Sequence, residues 1–557
     1  MPEKRAIPIG IEDFKKIREG NYFFADKSLL IKDVLDSSTV SLFTRPRRFG
    51  KTLNMSMLRY FFEKSDTDNS YLFDDLKIAG AGDKYLSHMG KYPVISISMK
   101  SMQKDTYEES INVFRYLISD EYERHQDILK SDSLPLRKRK QFENILTGTA
   151  DNLAYADSIK ILTDCLYKVY GVKAVVLIDE YDVPLQAAKS QGYYDKMVSF
   201  IRSLFSGALK TNDSLAFGVL TGCLRVSKES IFTGLNNLAV YPLTSNLCSS
   251  YFGFTEAEVK EILEAYNISE RFADVRDWYD GYIFGSTEIY NPWSVLNYVN
   301  EALASSNSIP DTYWVNTSSN SIIRDILERS SYEVRNDIET LIDGKSITKK
   351  LYTSITYSDI DMKSETIWSL LLHTGYLKPI RVFLDDVERK ADLIIPNKEV
   401  LTIYRDTISE WLNYHIHADG TTALFNAILR GDSENFEIEV RRWLKRSISY
   451  NDTKESYYHG FLAGLLMGYE DFEVDSNYES GDGRSDIRIF DSSTKSLAII
   501  IEVKRADNDL CLNEKADEAL SQITDKKYSD YFTARGYKRI IKYGIAFYKK
   551  DCCVKTD

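Results

Sequence analysis

Residues 40–52 join a short apolar segment to a loop that ends in the tripeptide Gly50-Lys51-Thr52. Such a loop, when a helix follows it, binds the phosphates of a nucleotide. Main-chain amides face the phosphates, the lysine bridges the outer ones and the threonine hydroxyl holds Mg²⁺. The usual pattern has glycine at the position of Arg45. Because the tripeptide also arises by chance, the interpretation depends on residues further along the chain.

Two later segments supply the other groups that nucleotide chemistry needs. The apolar run at residues 175–178 predicts a strand buried on both faces, so Asp179 lies at a carboxyl end, where ligands bind in parallel sheets. We expect Asp179 to hold Mg²⁺ through water and Glu180 to polarise the attacking water. A strand at residues 216–220 ends at Thr221, whose hydroxyl is placed to sense the γ-phosphate. One alternative is that these groups only cap a helix and solvate strand ends. Another is nucleotide binding without hydrolysis, against which Glu180 argues.

The arginines of the loop have two interpretations. Arg45 and Pro46 must make a turn different from the usual glycine turn, with fewer free amides, because proline donates none. Arg47 or Arg48 then supplies charge to the phosphates in compensation. In the alternative, both arginines lie on the surface.

A second set of residues, near the C-terminus, has the types and spacing of a metal site. In a hairpin whose turn is centred near Thr494, Asp486 and Glu502 each lie eight residues from the turn and therefore face each other. Glu502 and Lys504 share a face because side chains alternate along a strand. Two carboxylates hold a divalent metal that activates water and stabilises a phosphorane-like transition state, with an ammonium beside it. Oxygen ligands without His or Cys favour Mg²⁺ or Mn²⁺.

The plain alternative is a cross-strand salt bridge on a solvated sheet face. The run at residues 498–501 instead predicts a buried strand, where a glutamate and a lysine need a partner or a purpose. Further candidates are Glu455, which opens an apolar helix, and Gln522, on the helix after the hairpin. Tyr458 and His459 either line the site or pack the helix, and the sequence leaves both open.

The elements that must hold these groups change in type along the chain. Residues 10–250 alternate helical patterns with short apolar strands, which predicts an α/β domain with a mostly parallel sheet and helices on both faces. From residue 255 to about residue 390 helices dominate and strands largely vanish. The last part has helices at 400–470, then a hairpin, a helix and a strand, which predicts a small α/β domain. We therefore expect three domains: residues 1–250, 251–395 and 396–557.

Composition narrows the class of protein. The 557 residues exceed one ordinary domain, and 43% hydrophobic with 28% charged residues suffices for buried cores. No apolar run reaches the about 18 residues of a membrane span. No secretion signal opens the chain, so a cytoplasmic location without a membrane partner is expected. The six scattered cysteines predict neither zinc nor disulfides. The net charge of −12 argues against a wholly nucleic-acid-binding surface but permits a local basic groove.

Six segments of the first half form a recognisable set: Phe24-Ala25-Asp26-Lys27-Ser28, Arg45-Pro46-Arg47-Arg48-Phe49-Gly50-Lys51-Thr52, Ile178-Asp179-Glu180-Tyr181-Asp182, Thr221-Gly222 with Lys228-Glu229-Ser230-Ile231-Phe232, Trp278-Tyr279-Asp280-Gly281-Tyr282 and Tyr290-Asn291-Pro292. Together they resemble the AAA-ATPase-like family of bacterial proteins, over about residues 5–300. That family is similar to P-loop ATPases of the AAA/STAND kind, and its loop usually carries these arginines.

This resemblance implies an N-terminal P-loop NTPase fold with ATP and Mg²⁺ as cofactors. Glu180 is then catalytic, and Thr52 and Asp179 hold the metal. Arg225 is a candidate phosphate-contacting or finger arginine, the alternative being a structural salt bridge. The implied cofactor-binding set is Arg48, Phe49, Gly50, Lys51, Thr52, Asp179, Thr221 and Arg225.

Residues 455–550 resemble the PD-(D/E)XK nuclease superfamily, particularly the subfamily fused behind the AAA-ATPase-like domain. Ser485-Asp486 stands where the motif has Pro-Asp, a change that the superfamily tolerates. The resemblance implies a small restriction-endonuclease-like α/β domain. Asp486 and Glu502 are then metal ligands and Lys504 is catalytic, and Glu455 and Gln522 are further members of the site.

Two sites for phosphate chemistry in one chain predict an ATPase joined to a Mg²⁺-dependent nuclease that acts on DNA or RNA, with ATP gating or positioning cleavage. The alternative is a nucleotide-operated switch or interaction protein with an inert nuclease-like tail. Phosphate transfer to a small molecule is disfavoured, since the sequence indicates no pocket for an acceptor molecule. Nucleic acid is the expected partner, and a homo-oligomer is compatible with the sequence.

Overall fold

The computed structural model describes residues 5–210, 212–224, 231–232, 237–305, 307–314, 323, 326, 332–352, 366–418, 422–447, 455–466, 472–480 and 483–557. At 332–333, 335–336, 339, 409–418, 422, 445–447, 455–457, 476–480 and 483–485 only the backbone is described. The chain divides into two compact units, Met1–Ser319 with Asp337–Ile403 and Asn320–Asn336 with Tyr404–Asp557. The division into three domains at residues 250 and 395 stays a prediction.

A parallel sheet forms the centre of the first unit. In the described part of the chain it has five strands in the order β2-β3-β4-β1-β5. Every residue of β1 and β3 is buried, as expected of central strands with both faces covered. Because β4 is the neighbour of both β1 and β3, the end of β4 lies beside both the loop after β1 and the acids after β3. The strands are β1 (Val40–Thr44), β2 (Val94–Ser98), β3 (Ala174–Asp179), β4 (Leu215–Gly222) and β5 (Leu238–Tyr241).

Helices connect and cover these strands. Two of them begin with a capping box, in which a threonine and the glutamate three residues later satisfy each other's backbone amides: Thr106 with Glu109, and Thr255 with Glu258. The helices up to residue 304 are α1 (Phe14–Glu19), α2 (Leu30–Leu35), α3 (Lys51–Phe62), α4 (Asp83–Leu86), α5 (Tyr107–Arg124), α6 (Leu136–Leu146), α7 (Asn152–Ala156), α8 (Ser158–Tyr170), α9 (Val183–Ser190), α10 (Tyr194–Phe205), α11 (Glu256–Ala265), α12 (Phe272–Tyr279) and α13 (Pro292–Ala304).

The middle region contains helices, as predicted, and also short strands that the sequence analysis does not predict. Ile380 and Leu384 of β9 are 59% and 73% exposed, so this strand lacks the buried apolar face on which strand prediction depends. The elements here are β6 (Tyr282–Phe284) paired with β7 (Thr287–Ile289), α14 (Tyr332–Ile342), α15 (Thr366–Thr374), and an antiparallel sheet of order β8-β10-β9 from β8 (Ile347–Lys350), β9 (Lys378–Asp385) and β10 (Glu388–Ile394).

The second unit has a mixed sheet of order β11-β12-β13-β14-β15, in which only β13 and β14 are parallel among the described strands. This arrangement confirms the predicted small α/β fold. None of the described helices combines the length and apolar character that crossing a membrane requires. The elements are α16 (Lys398–Ala418), α17 (Thr422–Arg430), α18 (Ser433–Ser447), α19 (Glu455–Leu466), β11 (Glu473–Ser480), β12 (Gly483–Phe490), β13 (Leu497–Arg505), α20 (Leu512–Asp525), α21 (Asp530–Ala534), β14 (Arg539–Tyr548) and β15 (Asp551–Thr556).

Apolar side chains cover both faces of this second sheet. Ile487 and Ile501 belong to a core that includes residues of α17, α18 and α19, whereas Ile500 packs on the other face with Ile523 and Phe532. Helix α20 makes the crossover between the parallel strands β13 and β14. It approaches so closely that a Cβ on Gly544 would lie 2.3 Å from the Ala516 carbonyl oxygen, so only glycine fits there.

Candidate functional site

The loop between β1 and α3 makes its turn at its last residues. Arg48 and Gly50 have φ angles of 69° and 79°, both in the left-handed region. Nothing lies within 4 Å of the position of a Cβ on Gly50, so the backbone angle and not space favours glycine. Lys51 is buried, and its Nζ donates to the carbonyl oxygens of Arg45 (3.1 Å) and Pro46 (2.8 Å). The ammonium is therefore held inside the loop.

Arg45 points into the protein and not toward the loop opening. Its guanidinium is fully buried and donates to the carbonyl oxygens of Thr44 and Tyr241, each at 2.8 Å, and of Cys248 at 3.3 Å. The group also lies 5.2 Å and 5.1 Å from the ring centroids of Phe252 and Phe284. Burial lowers its pKa to about 10. Arg45 thus ties the loop to the end of β5 and to the following segment.

Replacing Arg45 with glycine restores the usual loop pattern, yet we expect it to destabilise the protein. Two buried carbonyl oxygens and one partly buried carbonyl oxygen lose this donor, so the free energy of unfolding should fall by about 2–4 kcal/mol. ATP affinity should not improve. Urea unfolding and calorimetry check both expectations. Unchanged unfolding together with tighter ATP binding would show that Arg45 is only a substitute for glycine.

The three residues after Pro46 differ in where their side chains lie. The Arg47 Nη2 donates to the Gln186 side chain at 2.8 Å, and the Arg48 guanidinium lies 4.2 Å from the ring centroid of Trp293. Both arginines are half-buried and line a cavity, so neither lies simply on the surface. Phe49 is buried against Tyr282, which leaves its backbone as the part able to face a ligand.

Asp179, at the end of β3, connects the end of β4 to the start of α3. One carboxylate oxygen accepts from the Thr52 hydroxyl at 2.7 Å, and the other accepts from the Thr221 hydroxyl. Asp179 is 4% exposed, so these oxygens are largely shielded from water. The structure therefore brings together the three oxygen-bearing side chains that the sequence analysis assigns to metal and γ-phosphate. Their roles stay predictions.

Glu180 adopts an unusual backbone conformation beside Asp179. Its φ is 52°, in the left-handed region that costs a non-glycine residue energy and that recurs at functional sites. Its amide donates to the Thr221 hydroxyl oxygen at 3.4 Å, and the residue lines the same cavity as Lys51 and Thr52. Burial raises the pKa of the Glu180 carboxyl, although the Lys51 ammonium acts in the opposite direction.

Asp182 is a member of this cluster to which the sequence analysis assigns no role. Its buried carboxylate accepts from the amides of Cys223 and Leu224, each at 2.9 Å, and burial raises its pKa. A Cβ on Gly222 would lie 2.7 Å from that carboxylate, so the segment after β4 passes close by. Asp182 thus fixes the chain just before Arg225, which lies outside the described residues. In the sequence, the position of Asp182 as the third acid after β3 is the feature that could have predicted its role.

A cavity of about 300 Å³ opens beside the loop. Its lining includes the polar residues Lys51, Thr52 and Glu180. Apolar lining residues come from the N-terminal stretch and from the start of α13, which the sequence analysis quotes only as part of a resemblance or not at all, and from other segments. They include Ile9, Ile11, Phe24, Leu53, Phe254, Pro292 and Leu296. A cavity lined by both charged and apolar groups suits a ligand with both characters.

The predicted hairpin of the second unit has the predicted register. Ile487 pairs with Ile501 and Phe490 with Ala498, so continuation of the same register sets Asp486 opposite Glu502. The Asp486 amide lies 3.4 Å from a Glu502 carboxylate oxygen, and the Val503 amide donates to the Asp486 carboxylate at 2.8 Å. Glu502 is 2% exposed. Two carboxylates therefore adjoin each other on a buried part of the sheet.

Helix α20, the residues that follow it and β13 supply further polar groups near this carboxylate pair. The Gln522 side-chain amide donates to Glu502, and the membership of Gln522 in a nuclease site stays a prediction. Tyr528, which the sequence analysis does not single out, hydrogen-bonds Gln522 and lies near both carboxylates. Burial raises the Tyr528 pKa. Lys504 is half-buried and shares the Glu502 face by strand alternation.

The three candidates on α19 differ in outcome. Glu455 begins this helix, but its side chain lies outside the described residues. His459 approaches the pair, with its Nε2 2.9 Å from the Asp486 carbonyl oxygen. Tyr458 is fully buried, stacks on Phe547 and donates to the Lys549 carbonyl oxygen, so it packs the helix.

The donor set of each site fits a hard divalent cation. Thr52 with Asp179, and Asp486 with Glu502, offer oxygen atoms only, the ligands that Mg²⁺ and Mn²⁺ prefer. Where side chains are described, no cluster of three or more His, Cys, Asp or Glu residues is placed to hold a metal. Either site would therefore complete its coordination with water, main-chain oxygen or substrate.

Two family models match this chain. Residues 8–232 match the AAA-ATPase-like family, described as a predicted AAA-ATPase, and residues 453–557 match the PD-(D/E)XK nuclease superfamily. These matches confirm both resemblances. The first covers the loop, the acids after β3 and the end of β4, and the second covers the carboxylate hairpin and α20. The chain thus joins an AAA-ATPase-like domain to a nuclease-superfamily domain.

A bacterial relative matches this chain over nearly the full length of both proteins. A protein of Azotobacter chroococcum mcd 1, described as an uncharacterized protein in the vnfD 5′ region, is 24% identical over 546 residues. The match covers 96% of this chain and 95% of the relative. The similarity therefore includes the region between the two domains.

Proposed function

We propose that this protein binds and hydrolyses ATP in its first unit and cleaves DNA or RNA in its second, with ATP gating or positioning cleavage. The observation that carries the proposal is the presence of two separate clusters of acids in one chain. Each cluster lies on or at the end of a buried strand and has a lysine nearby: Asp179 with Lys51, and Glu502 with Lys504. Isolated buried acids are costly, which favours a functional reason for both clusters.

In the first unit the residues divide the work of binding a triphosphate. Lys51 exchanges its two carbonyl partners for phosphate oxygens, and the loop amides with the N-terminus of α3 face the same charge. Thr52 and Asp179 already share a hydrogen bond, so both point at one position, where Mg²⁺ would neutralise phosphate charge. Glu180 orients and deprotonates water. The base and sugar contact the apolar residues that line the cavity.

In the second unit Asp486 and Glu502 would hold the metal, which would lower the pKa of bound water and stabilise charge on the cleaved phosphate. Gln522 orients Glu502 through its amide. Lys504, on the same face, positions water or neutralises charge on the leaving oxygen. Glu455 is the candidate for a further carboxylate. The acidic net charge of −12 confines nucleic acid to a local surface around this site.

We place this activity in the bacterial cytoplasm, where the six cysteines, all free thiols, stay reduced.

A cleavage panel tests the nuclease part of this proposal. Purified protein is incubated with single-stranded and duplex DNA and RNA, with Mg²⁺, Mn²⁺ or EDTA, and with or without ATP. The proposal expects metal-dependent cleavage of at least one substrate and a rate that changes with ATP. Absence of cleavage on every substrate, under conditions in which the protein binds ATP, would favour the nucleotide-operated switch with an inert tail.

Protonation of Glu180 should cause the loss of ATP hydrolysis at low pH, which is the acid limb of the pH–rate profile. A general base must be deprotonated, so hydrolysis is retained above the raised pKa of Glu180 and lost as pH falls through it. The midpoint of this loss should lie above 4.5, the ordinary pKa of a glutamate. Phosphate release measured across pH checks this expectation, with Glu180→Gln as the variant that binds ATP without turnover. A limb at or below 4.5 would exclude Glu180 as the base.

A further inference from the structure

A buried glutamate of the first unit lies at the centre of a hydrogen-bond network outside both sites. Glu399 has no exposed surface, and its carboxylate accepts from the amides of Tyr313 (2.7 Å) and Trp314 (2.8 Å) and from the Ser294 hydroxyl (2.8 Å). Ser294 is itself fully buried. Burial raises the Glu399 pKa to about 7. A carboxylate so placed is costly unless each of these donors stays in position.

The donors of Glu399 also contact the phosphate loop. The Trp314 indole Nε1 lies 3.4 Å from the Arg47 carbonyl oxygen, which it approaches as donor. Trp293, the neighbour of Ser294, lies under the Arg48 guanidinium at 4.2 Å and donates from its own indole to the Tyr313 carbonyl oxygen at 3.0 Å. The contacts that leave Glu399 therefore reach two consecutive residues of the loop.

Glu399 also belongs to the first turn of α16, whose start is firmly held. The Asn397 side chain accepts from the Val400 amide at 2.9 Å and donates to the Asp280 carbonyl oxygen at 2.7 Å. Helix α16 spans Lys398–Ala418, whereas the first compact unit ends at Ile403. The helix that carries Glu399 thus continues along the chain into the second unit.

We propose that Glu399 is a positioning residue that couples the phosphate loop to the start of α16, so that nucleotide in the loop changes the order of this helix. The inference rests on the proposed function, since it needs ATP at the loop. A nucleotide that draws Arg48 toward its phosphates removes the cation from Trp293. A shift of Arg47 moves the Trp314 indole. The first change acts on Trp293, which precedes the donor Ser294 and hydrogen-bonds the donor residue Tyr313, and the second acts on the donor residue Trp314.

Hydrogen exchange tests the coupling in the full-length protein. With Mg²⁺·ATP, amide exchange of residues 398–408 should change by about tenfold in the wild type, within the usual range of coupling between sites. Glu399→Ala should bind ATP in calorimetry but lose this nucleotide-dependent change. Glu399→Gln keeps the shape and the acceptor for both amides, and should restore most of it.

A second variant tests the same coupling if Glu399→Ala fails to fold. Trp314→Phe keeps the ring beside Tyr376, 5.0 Å away, but removes the donor to the Arg47 carbonyl oxygen. It should reduce the nucleotide-dependent exchange change while Lys91→Ala, at an exposed position, leaves it intact. Wild-type protein that fails to bind ATP would overturn the proposed function and this inference together. ATP binding without any exchange change at 398–408, or an unaltered change in Glu399→Ala and Trp314→Phe, would overturn the inference alone.

Discussion

Glu502→Gln is expected to lower nucleic-acid cleavage by more than about a hundredfold, the usual cost of losing one charged contact to a reacting group. Glutamine preserves the shape of the side chain and an oxygen that accepts from Gln522, but it removes the negative charge that holds the metal beside Asp486. The rate of cleavage with saturating Mg²⁺ measures the effect. Mn²⁺ binding in calorimetry should weaken in parallel.

The control for this change is Glu514→Gln, which makes the same substitution on the exposed surface of α20. It should cleave like the wild type. Neither variant should unfold at a lower temperature than the wild type without metal, because Glu514→Gln changes an exposed side chain and Glu502→Gln removes a buried charge that is costly without its metal. Equal cleavage by wild type and Glu502→Gln would show that the nuclease activity lies elsewhere or comes from a contaminant.

Lys51→Ala is expected to weaken ATP binding by about a hundredfold, because a charged hydrogen bond in a shielded site contributes about 3 kcal/mol. Lys51 is 4% exposed, and its ammonium donates to the loop carbonyl oxygens of Arg45 and Pro46 and, at 3.7 Å, to the Cys223 Sγ. No other described lysine of the loop can replace it. Calorimetric titration with Mg²⁺·ATP measures the change in affinity.

Lys91→Ala serves as the matched control, since Lys91 is exposed and lies away from the loop in sequence. Its ATP affinity should equal that of the wild type. An unchanged affinity in Lys51→Ala would remove the phosphate-binding role from the loop, whatever the family match implies. A loss of affinity accompanied by loss of folded structure would be recognised by urea unfolding of the same samples.

Local patterns were sufficient to predict the strand-end groups of the first site. Asp179 and Thr221 were predicted together because carboxyl ends of parallel strands meet at one edge of a sheet. The hairpin register was predicted because its turn is short. The Asp491 carboxylate accepts from the amides of Ser493 and Thr494, each at 2.9 Å, which fixes the turn where the sequence centres it.

Interactions between distant residues were beyond sequence reasoning. Arg45 turns inward because of the Tyr241 and Cys248 carbonyl oxygens, 196 and 203 residues away. Trp314 reaches Arg47 across 267 residues, and Glu399 reaches Ser294 across 105. None of these contacts leaves a periodic pattern in the sequence. The motif Asp179-Glu180-Tyr181-Asp182 did contain the third acid, but its role depends on where the segment after β4 passes.

The central claim is that nucleotide in the first unit controls cleavage in the second. The most direct measurement is the ratio of cleavage rates with and without ATP, on one substrate, for wild type, Lys51→Ala and Glu502→Gln. We expect a ratio clearly different from one for the wild type, a ratio of one for Lys51→Ala with cleavage retained, and no cleavage by Glu502→Gln. A ratio of one for wild-type protein that binds ATP and cleaves would contradict the claim.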